Sequence, residues 1–454
     1  MAAVRPRSAL LHYAALLTPN ALTAGALAVQ RDVPARTARI ADAVRSRWRS
    51  RDQWPSRSQG RSRDQQRSRG QWRSRGQWRS RGQWRSRGQW RSRGQWRSRD
   101  RETMRGLIVS PGGDVRWRSV PAPGRPGPMA AVVRPLAVAT CDLDRAMMLG
   151  RTPFPLPLHL GHECVGEVLE VGELVGSVRV GQRVVVPFQI SCGECAACRR
   201  GNQGSCTSVP PASMYGFGLA GGLWGGALAD RLAVPFADAM LVPLPDGLDP
   251  AAAAGVADNV SDAYRQVAPH LPALLAHDPD AEVLIVGRLT RDDPLTSSTP
   301  LYAGLVARAL GARRISVVDG RAEVRRLAGE LGLRALDPRR PKEWPTAPLT
   351  VDATGTPAGL RRVLRHTAPD GVCTCVWSLH RRGGLPLAAC YVRNVTLHIG
   401  RSHVRALIPG VLALMADGRL RPELVTTNVA GFADAPDALR EHRLDCAVKT
   451  VLVA

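Results

Sequence analysis

The chain has 454 residues and a formal charge of +25, from 63 Lys+Arg against 38 Asp+Glu. Most of that excess sits in residues 1–103, where 25 arginines face six acidic groups, so the extreme basicity says little about the partners of the rest. No apolar run reaches the length of a membrane span, which excludes a helical membrane protein, and the remainder is long enough for about two domains with their own cores.

At the N-terminus, Arg5 and Arg7 precede an apolar stretch from Ser8 to Leu17, and Ala26-Leu27-Ala28 resembles a small-residue cleavage site. Thr18, Pro19 and Asn20 interrupt this outline of a secretory signal. A chain with a thiolate cluster also suits a reducing compartment, so a cytoplasmic location is expected. Residues 67–96 are five perfect copies of Arg-Ser-Arg-Gly-Gln-Trp. A six-residue period matches neither a helix nor a strand face, and nothing aliphatic is available to bury. Residues 1–103 are therefore expected to be disordered. Arginine interleaved with tryptophan could bind nucleic acid by phosphate contact and stacking, or cling to an anionic membrane. The favoured reading is a non-functional extension, with translation starting at Met104.

Residues 104–250 read as all-β. GEVLEVGELV, QRVVVPF and ALADRLAVP are short strand-like runs broken by Gly, Pro and Asp turns. Four cysteines, Cys192, Cys195, Cys198 and Cys206, form a C-x2-C-x2-C-x7-C array. Short spacers let one loop offer four thiolates at tetrahedral corners, which predicts a closed, structural zinc site rather than a disulfide framework. Such a site supports a fold and does no chemistry itself.

Residues 251–400 change rhythm. Pro250–Pro269 reads as helical. AEVLIVG is a buried strand, PLYAGLVARALGA a helix, RRISVVD a strand and AEVRRLAGELG a helix; LTVDATG, GVCTCVW and NVTLHIG are further strands. That alternation predicts an α/β, doubly wound parallel sheet. VRALIPGVLALMADG and AVKTVLVA, a helix and a strand, fall in 401–454. The first strand ends at Gly287 and leads into RLTRDDPLTSSTP rather than a glycine-rich turn. Thr299-Pro300 predicts a helix start. Ser297, Ser298 and Thr299 could donate to a phosphate, with Arg288 or Arg291 to neutralise it; alternatively the loop fills the crevice. Asp319 ends the second strand, where a carboxylate meets a ribose diol and favours NAD over NADP, although Arg321 weakens the preference.

A second metal site is suggested by residues far apart in sequence. Cys141 lies in ATCDLD, His162 and Glu163 in LGHECVGEV, and Asp258 in VADNVSDAYR. A thiolate, an imidazole and a carboxylate leave zinc one open position for a hydroxyl or carbonyl oxygen. Taken singly, Cys141 reads as a small buried hydrophobe, His162 as a turn histidine and Asp258 as a helix cap.

GHECVGEVLEVGELVGSVRVGQRVVVPFQISCGECAACRRGNQGSC and GGALADRLAVPFADAMLVPLPDGL resemble the zinc-dependent medium-chain alcohol dehydrogenase family, and the resemblance runs from about Met104 to Ala454. It implies a GroES-like catalytic domain over 104–250, a Rossmann nicotinamide-binding domain over 251–400, and a segment over 401–454 that returns to the first. It implies one catalytic zinc on Cys141, His162 and Asp258, with Glu163 beside it, and one structural zinc on the four cysteines. Gly287, Ser298, Thr299 and Asp319 are the expected cofactor residues. The implied activity is hydride transfer between a small alcohol or aldehyde and NAD(H). Two positions depart from the pattern: Leu143 stands where a hydroxyl relays the alcohol proton, leaving Asp144 as the nearest substitute, and only Gly287 survives of the glycine motif. They motivate the alternative of an altered member that binds zinc without nicotinamide-dependent activity. A homo-oligomer, dimer or tetramer, is expected, with no membrane partner, and nucleic acid only through the N-terminal repeats.

Overall fold

The computed structural model describes residues 102–376, 378 and 384–454. The expectations for residues 1–101, namely disorder, a leader and nucleic-acid contact, lie outside the described residues.

The first half of the described chain is built from β1 (Thr103–Val109), β2 (Val115–Pro121), β3 (Ala131–Ala139), α1 (Asp144–Met148), β4 (Leu158–His159), β5 (Glu163–Val171), β6 (Arg183–Val186), α2 (Ala196–Arg199), β7 (Leu232–Val234) and β8 (Val242–Pro243). These runs are rich in valine, whose branched side chain packs well on a pleated surface. Strands β2-β1-β4 form one small sheet. A larger one begins β3-β5-β6-β8, with β7 added on β3. Val133, Val165 and Val185 are completely buried in its core. The all-β expectation for this half misses three helices, each shorter than six residues: α1 and α2, each beside a cysteine of interest, and Ala237–Met240.

A helical link follows, made of Pro250–Ala253, α3 (Asn259–Val267) and Leu271–His277. Next come β9 (Glu282–Val286), α4 (Ser298–Ala309), β10 (Arg314–Val318), α5 (Ala322–Glu330), β11 (Arg334–Leu336), β12 (Ala347–Asp352), α6 (Pro357–His366), β13 (Thr367–Cys375) and β14 (Thr396–Ile399). They make a six-stranded parallel sheet in the order β11-β10-β9-β12-β13-β14. All five residues of β9 are buried, as expected for a strand covered on both faces by crossover helices. The order reverses between β9 and β12. Ligands of such sheets bind outside the strand ends at that reversal.

The chain ends with α7 (Val404–Ala416), β15 (Asn428–Gly431), α8 (Ala435–Arg443) and β16 (Thr450–Val453). β16 pairs antiparallel with β3, placing Val451 opposite Ala139, and β15 joins outside it. The last residues thus complete the seven-stranded sheet of the first half. This brings the segment just before β16 against the ends of β3 and β5.

Candidate functional site

Cys141 follows the end of β3, His162 and Glu163 stand at the start of β5, and Asp258 precedes α3. Gly161 has φ +89°, and a Cβ there would lie 2.6 Å from the Leu228 nitrogen, so only glycine lets the chain turn into His162 here. One donor atom from each of Cys141, His162, Glu163 and Asp258 falls within 4.8 Å of the others, and all four residues are buried. His162 Nε2 lies 3.4 Å from Asp258 Oδ2, and its Nδ1 lies 3.9 Å from Asp144 Oδ1. Both imidazole nitrogens, Glu163 Oε1 and Asp144 Oδ1 are buried without a hydrogen-bond partner among the described residues. Burial, and then the carboxylates of Asp258, Glu163 and Asp144, push the Cys141 thiol well up. Burial pushes Asp144 up as well. A thiol and three carboxylates crowded around an imidazole, with buried lone pairs unspent, have the donor chemistry of a site for a divalent cation.

Of three side chains that sequence reading passes over, two complete this cluster. Asn259 Nδ2 donates to Cys141 Sγ at 3.3 Å and to Asp258 Oδ2 at 3.2 Å. Lys449 Nζ donates to Glu163 Oε2 at 2.6 Å and to Asn259 Oδ1 at 3.0 Å. The third, Asp142, belongs to the crevice described below. Burial pushes Glu163 up, against the pull of Lys449. For Lys449, burial lowers the ammonium, but Glu163, Tyr302, Cys141 and Asp142 together outweigh it and the net direction is up. The available signal was a lone lysine in the apolar run AVKTVLVA, since a lysine is almost never fully buried without a partner. Lys449→Met leaves Glu163 buried without its cation, and we expect about 3–5 kcal/mol of destabilisation in chemical denaturation. The double variant Lys449→Met/Glu163→Gln should recover most of it.

Aromatic rings pack against His162. The His162 ring lies 4.9 Å from Phe217 and 5.8 Å from Phe188, and Phe154 packs edge-on to Phe217. Leu143 is buried in the same core.

The four-cysteine loop wraps around α2. One sulfur from each of Cys192, Cys195, Cys198 and Cys206 lies within 4.8 Å of the others, and Cys195 and Cys206 are 3.9 Å apart. The backbone N–H groups of Thr207 and Cys198 hold the Cys195 thiol down at about 5, whereas burial pushes Cys198 up to about 12. The ten cysteines are all free thiols. His403 Nδ1 accepts the Gly204 N–H at 3.2 Å, and Gln189 Nε2 donates to the Ser402 carbonyl at 2.9 Å, tying the loop to the start of α7.

The crevice outside β9 is filled by the chain itself. Asp142 reaches the N-terminus of α4: the Ser298 N–H (2.8 Å), Ser298 Oγ (2.6 Å) and Thr296 Oγ1 (2.7 Å) donate to Oδ1, and the Thr299 N–H (3.0 Å) donates to Oδ2. Burial raises Asp142, but Lys449 and these donors outweigh it and hold the carboxyl below its ordinary value. This contact explains why α4 begins at Ser298, with Ser297 at the cap position, rather than at the expected Thr299-Pro300 pair. Asp319 has no exposed surface. Ser297 Oγ (2.6 Å) and the Arg288 N–H (3.3 Å) donate to its Oδ2, and the Arg321 N–H (2.9 Å) to its Oδ1. A Cβ on Gly287 would meet Asp319 Oδ2 at 2.8 Å. Arg288, 1% exposed, shares its Nη1 between the two Asp445 oxygens at 3.1 and 3.2 Å, and Arg321 Nη1 reaches the same carboxylate at 2.7 Å. Of the expected cofactor residues, Ser298 and Asp319 are thus spent internally, and Gly287 is closed over by Asp319. Thr299 keeps a free hydroxyl. As arranged, these residues do not fit a dinucleotide: its phosphate position holds a carboxylate and its ribose carboxylate is sealed.

A sheet with its ligand crevice at the strand reversal, beside a buried Cys/His/Glu/Asp cluster and a separate cysteine loop, defines a zinc-type, two-lobed dehydrogenase architecture. Residues 127–246 match the alcohol dehydrogenase GroES-like domain. Alcohol dehydrogenase TADH from Thermus sp. ATN1 is 30% identical, with a TM-score of 0.69 over 77% of this chain and 99% of that one. A protein described as a probable zinc-binding alcohol dehydrogenase from Mycobacterium tuberculosis is 29% identical, covering 73% of this chain and 83% of that protein. The glutathione-independent formaldehyde dehydrogenase of Pseudomonas aeruginosa is 36% identical over 151 residues, 31% of this chain and 38% of that enzyme. The chain belongs to the zinc-dependent medium-chain alcohol dehydrogenase family.

Proposed function

We propose that this protein is a zinc-dependent oxidoreductase acting on a small alcohol or aldehyde, with NAD(H) as hydride partner. The observation that carries it is the buried four-donor cluster of Cys141, His162, Glu163 and Asp258, with lone pairs left unspent. In this reading Cys141, His162 and Asp258 hold one zinc, with Glu163 beside it, and the four-cysteine loop holds a second. The first zinc, when bound, supplies Lewis-acid polarisation of a hydroxyl or carbonyl oxygen. Residues 104–250 and 401–454 form the zinc-bearing part, and 251–400 the nucleotide-type part.

The chain's own residues would act as follows. Asn259 fixes the orientation of Cys141 Sγ and Asp258 Oδ2 through its two contacts. Lys449 holds Glu163 Oε2 at 2.6 Å while Oε1 stays unspent. Phe154, Phe188 and Phe217 exclude water and favour a small apolar substrate. Leu143 carries no proton. Asp144 Oδ2 accepts the Cys141 N–H at 2.7 Å, and its unpartnered Oδ1 is the atom we assign to hold the proton. The crevice as arranged offers a dinucleotide no seat, because Asp142 holds the Ser298 and Thr299 N–H groups.

That filled crevice favours a second reading, a family member that holds zinc and has lost nicotinamide-dependent activity. The test is a metal count together with alcohol oxidation and aldehyde reduction by the purified full chain with NAD(H) and NADP(H). Two zincs with turnover support the first reading, and zinc without turnover the second. No described helix is long and apolar enough to cross a membrane, and a cytoplasmic location goes with ten free thiols. A homo-oligomer is part of the proposal: β14 is an edge strand, with Tyr391 and Val392 more than 80% exposed beside it.

A third function, nucleic-acid binding, would reside in residues 1–103. Their deletion is expected to leave melting temperature, zinc content and any turnover unchanged, since every motif named above lies beyond them. RNA binding that weakens with salt and disappears with the deletion would establish the third function instead.

A further inference from the structure

A helix N-terminus carries unpaired N–H groups and the positive end of a dipole, and in a strand–turn–helix unit a ligand phosphate ordinarily satisfies both. In this protein the first turn of α4 is satisfied by Asp142, a residue from the other lobe and 156 positions away from Ser298. A carboxylate that accepts two successive helix N–H groups and two hydroxyls copies what a phosphate would do.

The surroundings are those of an anion seat with donors left over. Thr299 Oγ1, in the same turn, is buried without a hydrogen-bond partner among the described residues. So are Arg288 Nε and Arg321 Nη2. Arg145, Arg288 and Arg321 all turn to the one Asp445 carboxylate, with Arg145 Nε at 3.7 Å. Arg288 also donates to the Arg291 carbonyl, which folds the loop back over the crevice. Arg321 also lies 3.9 Å from Asp319, so three guanidinium groups are balanced by Asp445, Asp319 and Asp142; once Asp142 leaves, two carboxylates face three guanidinium groups whose buried N–H groups are partly unspent, a balance that suits an anionic ligand.

We infer that Asp142 is this chain's own stand-in for a ligand phosphate at the N-terminus of α4, and that a pyrophosphate-bearing nucleotide enters the crevice only by displacing it. Asp142 thereby decides the affinity of the crevice. While it is seated, a phosphate meets a like charge and finds the helix N–H groups taken. Once it is removed, Ser298 N, Thr299 N, Thr299 Oγ1 and Arg321 become available together. The identity of the ligand rests on the oxidoreductase reading, but the self-occupied seat does not.

The experiment is calorimetric titration of the zinc-loaded full chain with ADP, which has the pyrophosphate and lacks the nicotinamide, at fixed salt. Wild type is compared with Asp142→Ser and Asp142→Asn. Asp142→Ser should bind ADP at least about tenfold more tightly than wild type, because charge-assisted bonds to the ligand replace internal ones. Asp142→Asn keeps an acceptor but loses the charge, so its gain should be smaller and in the same direction. Zinc content and melting temperature of each variant guard against a folding defect, and if Asp142→Ser fails to fold, Asp142→Asn decides. Equal ADP affinity in wild type and the folded variants overturns the inference. So does a wild-type ADP complex in which Asp142 still accepts from Ser298 and Thr299. A gain in ADP affinity without turnover by any of the three proteins leaves the inference standing and removes the oxidoreductase reading.

Discussion

Replacing His162 by alanine is expected to lower turnover about a thousandfold or more and to reduce the zinc count by one. A Lewis acid that polarises the reacting oxygen is worth several kcal/mol of barrier, and each 1.36 kcal/mol is a factor of ten. His162 sits at the centre of the cluster, between Asp258 Oδ2 and Asp144 Oδ1. Its removal leaves Cys141, Glu163 and Asp258 crowded together without an imidazole between them, and two protein ligands hold zinc far less well than three. Phe188 and Phe217 close over the space, so the fold should persist. Steady-state rates and metal analysis on the same preparation check both halves. Unchanged zinc content in the variant would remove His162 from the ligand set whatever the rate did.

Replacing Cys195 by serine is expected to lower the melting temperature by about 5–10 °C and to remove the other zinc. The loop around α2 has little apolar content of its own. Cys195 is the cap residue of α2, and its sulfur accepts the Thr207 N–H at 3.5 Å, so one thiolate organises both ends of the loop. Without an ion, four sulfurs within 4.8 Å of one another repel as thiolates or lose that character by protonation. Gly204 and Arg401 connect the loop to the segment before α7, so its loosening should spread to that contact. Thermal melts with and without a chelator are the measurement. A melt insensitive both to chelator and to Cys195→Ser would mean that the loop folds without metal.

The two variants separate the sites by their signatures. His162→Ala costs turnover with little loss of stability, and Cys195→Ser costs stability first. A single zinc site shared by both functions would make the two sets of effects inseparable.

Much of this was legible in sequence because it is local. The C-x2-C-x2-C-x7-C spacing needs only one loop to make a cluster, and the cysteine sulfurs do meet. Strands such as Glu282–Val286 and Arg314–Val318 announce themselves by short apolar runs between turn residues, and their alternation with helices dictates parallel pairing. Boundaries were less legible. β13 begins at Thr367, four residues before the run GVCTCVW that signals it, because Thr367 pairs with Ala347 of β12 ahead of a register break. The start of α4 was misplaced for a related reason: its capping group comes from Asp142, which no local rule could supply.

The sequence by itself determined the family, the alternation of elements and which residues could act as metal donors, since residue type and spacing suffice for each. Tertiary structure alone decided what those residues meet. The return of β16 to β3 places Lys449 on Glu163, 286 positions away, and a buried ion pair exists only where two distant segments exclude water together. The same closure seats Asp142 on α4 and gathers Arg145, Arg288 and Arg321 onto Asp445. Whether Ser298 and Asp319 face a ligand or the chain itself depends on those long-range contacts, because a hydrogen-bond donor is available to a ligand only if no nearer acceptor has taken it.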